Sequence, residues 1–254
     1  MENNLKVIQL GQHFLIHGDC TSIHLSTLLN KLLNGEKIDL ILTDPPYGVS
    51  YVENKLNSNL KHKKILNDDL NSEEYKSFTK NWLSPIKENL AEFNSFYIFN
   101  SDKMYIPLVN GIKESGYKYS QQLIWIKSQA VLGRLNYHMQ HELIAFGWYK
   151  KHKFYKTNDK TILQCPKPLN NKDHPTIKPI SLIRRLILNS TKVGDIIYDC
   201  FGGSGTTLLA AEQTKRRCII VEHDKDYVDL IMKRYQKLTN INSNEKKITK
   251  NPIS

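Results

Sequence analysis

Short apolar runs rich in Ile, Val, Tyr and Phe recur along the chain, with helical patterns between them. The runs at residues 37–44 (KIDLILTD), 95–100 (SFYIFN), 122–127 (QLIWIK), 142–149 (ELIAFGWY), 195–200 (DIIYDC) and 217–224 (RCIIVEHD) are apolar nearly throughout rather than alternating. Runs of that kind predict strands buried on both faces. Residues 22–33, 72–89, 181–189 and 206–213 carry helical spacing. The alternation predicts an α/β fold, a mostly parallel twisted sheet with helices on both faces. With 254 residues, 40% of them hydrophobic and 24% charged, the chain can bury a sizeable core and is not globally disordered. A single domain over residues 1–240 is expected.

Three stretches break the rhythm. Residues 49–70 are polar and rich in Asn and Lys, which predicts a mobile loop. Residues 150–173 are basic and irregular, and residues 241–254 form a polar, Lys-rich tail expected to be flexible. No apolar run reaches the roughly 18 residues that span a bilayer. The N-terminus lacks the zones of a signal peptide, so a cytoplasmic protein is expected. Lys and Arg number 36 against 25 Asp and Glu, a formal net charge of +11. That surplus points to a polyanionic partner, because cations that neutralise phosphates release condensed counterions. Cys20, Cys165, Cys200 and Cys218 show no CxxC spacing, so reduced buried thiols are expected and no metal site.

Two segments carry chemistry. Thr43-Asp44-Pro45-Pro46-Tyr47-Gly48 sits where a strand ends, and in open α/β sheets ligands bind beyond the carboxyl ends of strands. Two prolines stiffen the backbone and remove two N–H donors, leaving carbonyls to accept. A carboxylate, a rigid carbonyl and an aromatic ring together can hold a planar amine. An ordinary turn is the plain alternative.

The second is Asp199-Cys200-Phe201-Gly202-Gly203-Ser204-Gly205-Thr206-Thr207, a strand end, a glycine-rich turn and a helix start. It is not a P-loop, since no Lys follows Gly205, and it is not the dinucleotide fingerprint, since Leu208 stands at the third glycine position. Glu222 ends the next strand, 19 residues beyond Gly203, where an acidic side chain can accept both ribose hydroxyls of an adenosine-containing ligand. The pair predicts a nucleoside-binding unit without a phosphate cradle.

DPPY followed much later by DCFGGSGTT resembles the amino-DNA methyltransferases, and the order, with DPPY before the cofactor loop, resembles their permuted β group. The likeness runs from about Ile16 to Tyr235. His17-Gly18-Asp19-Cys20 resembles the N-terminal cofactor segment, and His174-Pro175-Thr176-Ile177-Lys178-Pro179 the HPTxKP segment. Asn67-Asp68, Trp125-Ile126-Lys127 and His141-Glu142-Leu143-Ile144 fall where the family carries similar residues. Gly202 departs from the family, which often has Met, Ala or Cys there; a glycine is expected to add flexibility.

The resemblance implies a Rossmann-like, S-adenosylmethionine-dependent catalytic domain that methylates an exocyclic amine of a flipped base in duplex DNA. Asp44, Pro45, Pro46 and Tyr47 would be catalytic: Asp44 and the Pro45 carbonyl accept the amine N–H bonds and Tyr47 stacks on the base. Asp19, Cys20, Phe201, Gly203, Ser204, Gly205, Thr206 and Glu222 would line the cofactor, and Lys178 would reach its carboxylate or cap the loop. Residues 150–173 would recognise the target and the 49–70 loop would close over the site. His141 and His174 read as hydrogen-bonded structural histidines and Trp125 as core. Asp44 favours adenine N6; cytosine N4 is the alternative, a non-catalytic DNA-binding subunit is disfavoured by intact Asp44, Tyr47 and Glu222, and a protein or RNA methylase by Asp44. A homodimer and a restriction endonuclease partner remain open.

Overall fold

Side chains of the central strands point alternately into two separate cores, as strands buried on both faces require. The structure, a computed structural model, describes residues 5–47, 69–130, 136–156, 158–165 and 178–240. Expectations for residues 48–68, 166–177 and 241–254, including Asn67, Asp68 and His174, lie outside the described residues.

In chain order the elements are β1 (Lys6–Leu10), β2 (His13–His17), α1 (Leu25–Leu33), β3 (Ile38–Thr43), α2 (Ser72–Leu83), β4 (Leu90–Asn100), α3 (Tyr105–Glu114), β5 (Lys118–Ile126), β6 (His141–Trp148), β7 (Lys151–His152), β8 (Ile162–Gln164), α4 (Ile180–Ser190), β9 (Ile196–Asp199), α5 (Thr206–Gln213), β10 (Arg217–Glu222) and α6 (Lys225–Thr239). They form one sheet in the order β1-β2-β10-β9-β3-β4-β6-β5-β8, with β7 beside β4. The five central strands β2, β10, β9, β3 and β4 are parallel. Antiparallel pairs flank them, β1 on β2 at one side and β6 between β4 and β5 at the other.

Leu25, Leu29, Tyr75, Trp82, Leu108 and Ile112 of α1, α2 and α3 pack with Ile41, Phe96, Ile98 and Tyr198 on one face. On the other, Leu182, Leu186, Leu208, Ala211, Val228 and Ile231 of α4, α5 and α6 pack with Leu40, Leu42, Tyr97, Ile197 and Ile220. The helix after β3 therefore covers one face and the helix after β9 the other, although the two strands are neighbours. That is a topological switch point, which opens a crevice at their carboxyl ends.

Several elements depart from the sequence expectation. Residues 72–89 are not one helix: α2 stops at Leu83 and a 3-10 turn, Ser84–Asn89, follows. Pro85 has no N–H to bond back, which disrupts the α-helical ladder there. Asn71 caps α2 with a capping box to Glu74. Residues 150–173 are not wholly irregular, since β7 and β8 lie within them. Asp159 binds Arg185 and Asn189, tying that stretch to α4. The strands β1 and β2 and the helices α3 and α6 go beyond the predicted elements. All four cysteines are buried and free. Among the described residues no helix is long and apolar enough to cross a membrane.

Candidate active site

The two motif segments meet in the crevice between β3 and β9. Thr43 Oγ1 donates to Asp199 Oδ1 at 2.7 Å, joining the end of one strand to the end of the next. Phe201 N donates to the same oxygen at 3.1 Å. Burial pushes the Asp199 carboxyl up to about 7, against the hydrogen bonds from Thr207 and Thr43 that favour its charge.

On the β9 side the turn is shaped by glycines. Gly205 precedes α5 at φ 78°, and a Cβ there would lie 2.9 Å from Ile231 Cγ1. Gly203 has φ 50° and open space where a Cβ would stand, as a backbone meant for close approach does. Gly202 has a packing role instead of the expected flexibility: a Cβ would lie 2.8 Å from Ile220 Cγ1. Gly203 N donates to Glu222 Oε2 at 2.6 Å and Asp224 N to Oε1 at 2.7 Å. Burial pushes the Glu222 carboxyl up to about 7. His223 N also donates to this carboxylate, and a lone-pair site remains for a further donor.

The other expected cofactor residues divide into two groups. Asp19 follows β2 beside Glu222, Gly18 N bonding to the Glu222 carbonyl at 2.9 Å, and Asp19 Oδ1 accepts from Thr21 N and Oγ1. Ser204 Oγ and Thr206 Oγ1 stand 3.3 Å apart at the start of α5. Cys20 is different, because its thiol is buried in the core against Cys200. The Phe201 ring turns to α2, edge-on to Trp82 at 5.5 Å and tilted to Phe78 at 5.8 Å.

On the β3 side, five polar side chains converge. Tyr47 OH lies 2.6 Å from Asp44 Oδ1 and 3.0 Å from Glu142 Oε2. Lys178 Nζ donates to Asp44 Oδ2 at 2.5 Å, to Glu142 Oε2 at 3.0 Å and to Tyr47 OH at 3.2 Å. Lys127 Nζ holds the remaining Glu142 oxygen, Oε1, at 2.7 Å. Lys178 is thus placed on the DPPY carboxylate, a partner its sequence does not announce. It is buried, and its ammonium sits 5.1 Å from the Phe99 ring. The turn itself is braced, as Pro46 O accepts from Tyr75 OH, which accepts from Asn100 Nδ2, each at 2.8 Å.

The charges follow from these contacts. Burial disfavours the Glu142 charge, but Lys178 and Lys127 hold its carboxyl down to about 2. Asp44 is raised above the usual range, burial and the Glu142 charge outweighing the Lys178 ammonium. Lys178 is raised, since two carboxylates outweigh its burial. Burial, with both carboxylates, raises Tyr47 well above its ordinary value, so its phenol stays a donor.

Glu142, Lys127, Tyr75, Asn100 and Thr43 join this site without having been assigned a role from sequence. The HE segment signals Glu142, Trp125-Ile126-Lys127 signals Lys127 and the DPPY segment holds Thr43, whereas Tyr75 and Asn100 reach the site through tertiary contacts alone. His141 is exposed rather than a hydrogen-bonded structural histidine, its backbone paired with Ile126. Trp125 is core, its Nε1 donating to Cys165 O at 2.9 Å.

A family model described as DNA methylase, for the N6 and N4 enzymes, matches residues 38–173 and 160–233. The Type II methyltransferase M.HpaI of Haemophilus parainfluenzae is 29% identical over 234 residues, 80% of this chain and 70% of that protein. The Type II methyltransferase M2.DpnII of Streptococcus pneumoniae is 29% identical over 229 residues, 79% of this chain and 83% of that protein. Among solved structures, the M1.HpyAVI–SAM complex matches with a TM-score of 0.63 at 25% identity, over 87% of this chain and 98% of that one. The cytosine-N4-specific PvuII DNA methyltransferase matches with a TM-score of 0.70 over 93% of this chain and 94% of that one. At 19% identity the latter likeness is one of fold.

Proposed function

We propose that this chain, which belongs to the N6/N4 DNA methylase family, is a site-specific methyltransferase acting on the N6 amine of adenine in duplex DNA. The observation that carries the reading is the meeting of the DPPY carboxylate with the glycine turn across the Thr43–Asp199 bond. It brings an amine acceptor and a nucleoside-binding turn into one crevice.

S-adenosylmethionine suits the turn: Gly203 leaves room for close approach, and the buried Glu222 carboxylate has a lone-pair site left for a ribose hydroxyl. When bound, it supplies a methyl group made electrophilic by its sulfonium. The protein's part is positioning and electrostatics. Asp44 accepts an N–H of the target amine and turns the nitrogen lone pair toward the methyl carbon. Its carboxylate stabilises the positive charge that grows on nitrogen, and the surplus proton is lost to solvent. Tyr47, braced by Asp44 and Glu142, presents its ring to the base. The base must leave the stack to reach this crevice, at a cost of a few kcal/mol. The +11 charge favours the polyanionic substrate.

Asp at the first DPPY position favours adenine by resemblance, and cytosine N4 is the second reading because both amines need the same acceptors. The test is to incubate the protein with methyl-labelled S-adenosylmethionine and mixed-sequence duplex, digest, and identify the labelled nucleoside. Label on N6-methyladenine supports the reading. Label on N4-methylcytosine replaces it with the second. Cofactor binding without label on any nucleoside overturns both.

A further inference from the structure

Asp44 meets a bound cation as well as the incoming amine, and the two make opposite demands. Its Oδ2 is taken by Lys178 Nζ and its Oδ1 by Tyr47 OH. An amine nitrogen that becomes positive during transfer would then grow its charge beside an ammonium. With Lys178 and Asp44 alone, the attraction that Asp44 offers would be cancelled by its own partner.

The second carboxylate changes this. Glu142 stands at the start of β6, and its Oε2 accepts from Lys178 at 3.0 Å while its Oε1 is held by Lys127 at 2.7 Å. Asp44 and Glu142 against Lys178 and Lys127 sum to zero charge. Lys178 can therefore give up Asp44 Oδ2 to the amine and stay paired on Glu142 without leaving a buried charge alone, which proteins rarely tolerate. Glu142 also shares the Tyr47 hydroxyl, so the ring keeps an anchor during the exchange.

We infer that Glu142 is a positioning residue for methyl transfer: it draws Lys178 off Asp44 when the target amine arrives and keeps the surrounding side chains neutral in sum while the nitrogen turns positive. This rests on the reading of the chain as an amino-DNA methyltransferase.

The groups that face Asp44 define the test. They are Lys178 ahead of α4, Tyr47 on its own turn, Glu142 on β6 with Lys127 of β5 behind it, and Asp199 at the end of β9. The Glu142 charge raises the Asp44 carboxyl and the Lys178 charge lowers it. Single-turnover rates at saturating S-adenosylmethionine should be followed from acid to alkaline pH for wild type, Glu142→Gln, Glu142→Asp, Lys178→Met and the Glu142→Gln/Lys178→Met double variant, with thermal melts as a folding control. Glu142→Gln leaves a net positive pocket, and its rate should fall on the order of a hundredfold. Its acid limb should move to lower pH, whereas that of Lys178→Met should move to higher pH. The double variant restores neutrality and should recover at least about tenfold over Glu142→Gln, an excess over additivity that marks coupling. Glu142→Asp keeps the charge and should stay within about tenfold of wild type. A Glu142→Gln protein within about threefold of wild type would overturn the proposal. So would a slowed one with an unmoved acid limb and no recovery in the double variant. A wild-type protein that methylates no DNA base overturns the underlying reading, and the role of Glu142 with it.

Discussion

Thr43 Oγ1 and Asp199 Oδ1 stand 2.7 Å apart although 156 residues separate them in the chain. The bond ties the strand that leads into DPPY to the strand that leads into the glycine turn. The two loops are thereby fixed to each other rather than only to the sheet.

Thr43→Val keeps the shape and removes the donor. A buried acceptor then loses a partner, which costs about 1–3 kcal/mol. Urea denaturation should show that loss, and calorimetry should show weaker S-adenosylmethionine binding, because Phe201 N hangs on the same oxygen. Unchanged stability and affinity would show that the tie does not support the site.

Glu222 and Asp199 carry a pH dependence whose sign can be worked out. Both carboxyls sit near 7 when folded, and an unfolded Asp or Glu titrates near 4. Between about pH 4 and 7 the folded state holds the extra protons, so the contribution of this pair to stability falls as pH rises, by at most about 1.4 kcal/mol per unit per group. Cofactor affinity should run the other way, since an ionised Glu222 accepts ribose hydroxyls better. Calorimetric titrations from pH 5.5 to 8.5 should show binding weakening in acid, and Glu222→Gln should bind more weakly and lose much of that slope.

Gly202→Ala tests the close packing under the turn. The added Cβ meets Ile220 and, at 3.2 Å, the Val221 carbonyl. Overpacking of this kind costs about 1–3 kcal/mol. Adding Ile220→Ala should make the double variant more stable than the sum of the single losses predicts, measured by denaturant titration. Strict additivity would mean that the backbone, not Ile220, sets the limit.

Asp44→Ala should lower transfer at least a thousandfold while cofactor affinity holds, as expected when the acceptor of a developing charge is lost. Tyr47→Phe keeps the stacking ring but removes the hydroxyl shared by Asp44 and Glu142, so a smaller loss of about tenfold is expected. Rates under single-turnover conditions separate these effects from product release.

What could be read from the chain was local in the chain. DPPY at the end of an apolar run, the glycine turn and Glu222 on the following strand are each set by neighbours in sequence, and the structure brings them to one crevice. The covered faces of β3, β4, β9 and β10 were legible because strands buried on both sides are apolar throughout. Helix α6 was harder: Val228, Ile231 and Tyr235 make its buried stripe inside an otherwise polar, charged segment. Pro85 was in plain view, yet its effect depends on where α2 ends. The Lys178–Asp44 pair spans 134 residues and the Tyr47–Glu142 contact 95, and no local pattern encodes such meetings. The meeting of Lys178 with Asp44 and of Glu142 with Tyr47 therefore shows only once the chain is folded.

The stretch around residues 150–165 has a practical consequence. Its course is pinned by β7 on β4, by Asp159 on Arg185 and Asn189, and by β8 on β5, with Trp125 holding the Cys165 carbonyl. On the far side of residues 166–177, Lys178 is clamped by two carboxylates. Cys165 and Lys178 are thus each fixed to the frame by contacts of their own. A change at Asp159, far from the DPPY turn, would therefore be felt on α4 and read out as lost stability, because one carboxylate holds both Arg185 and Asn189.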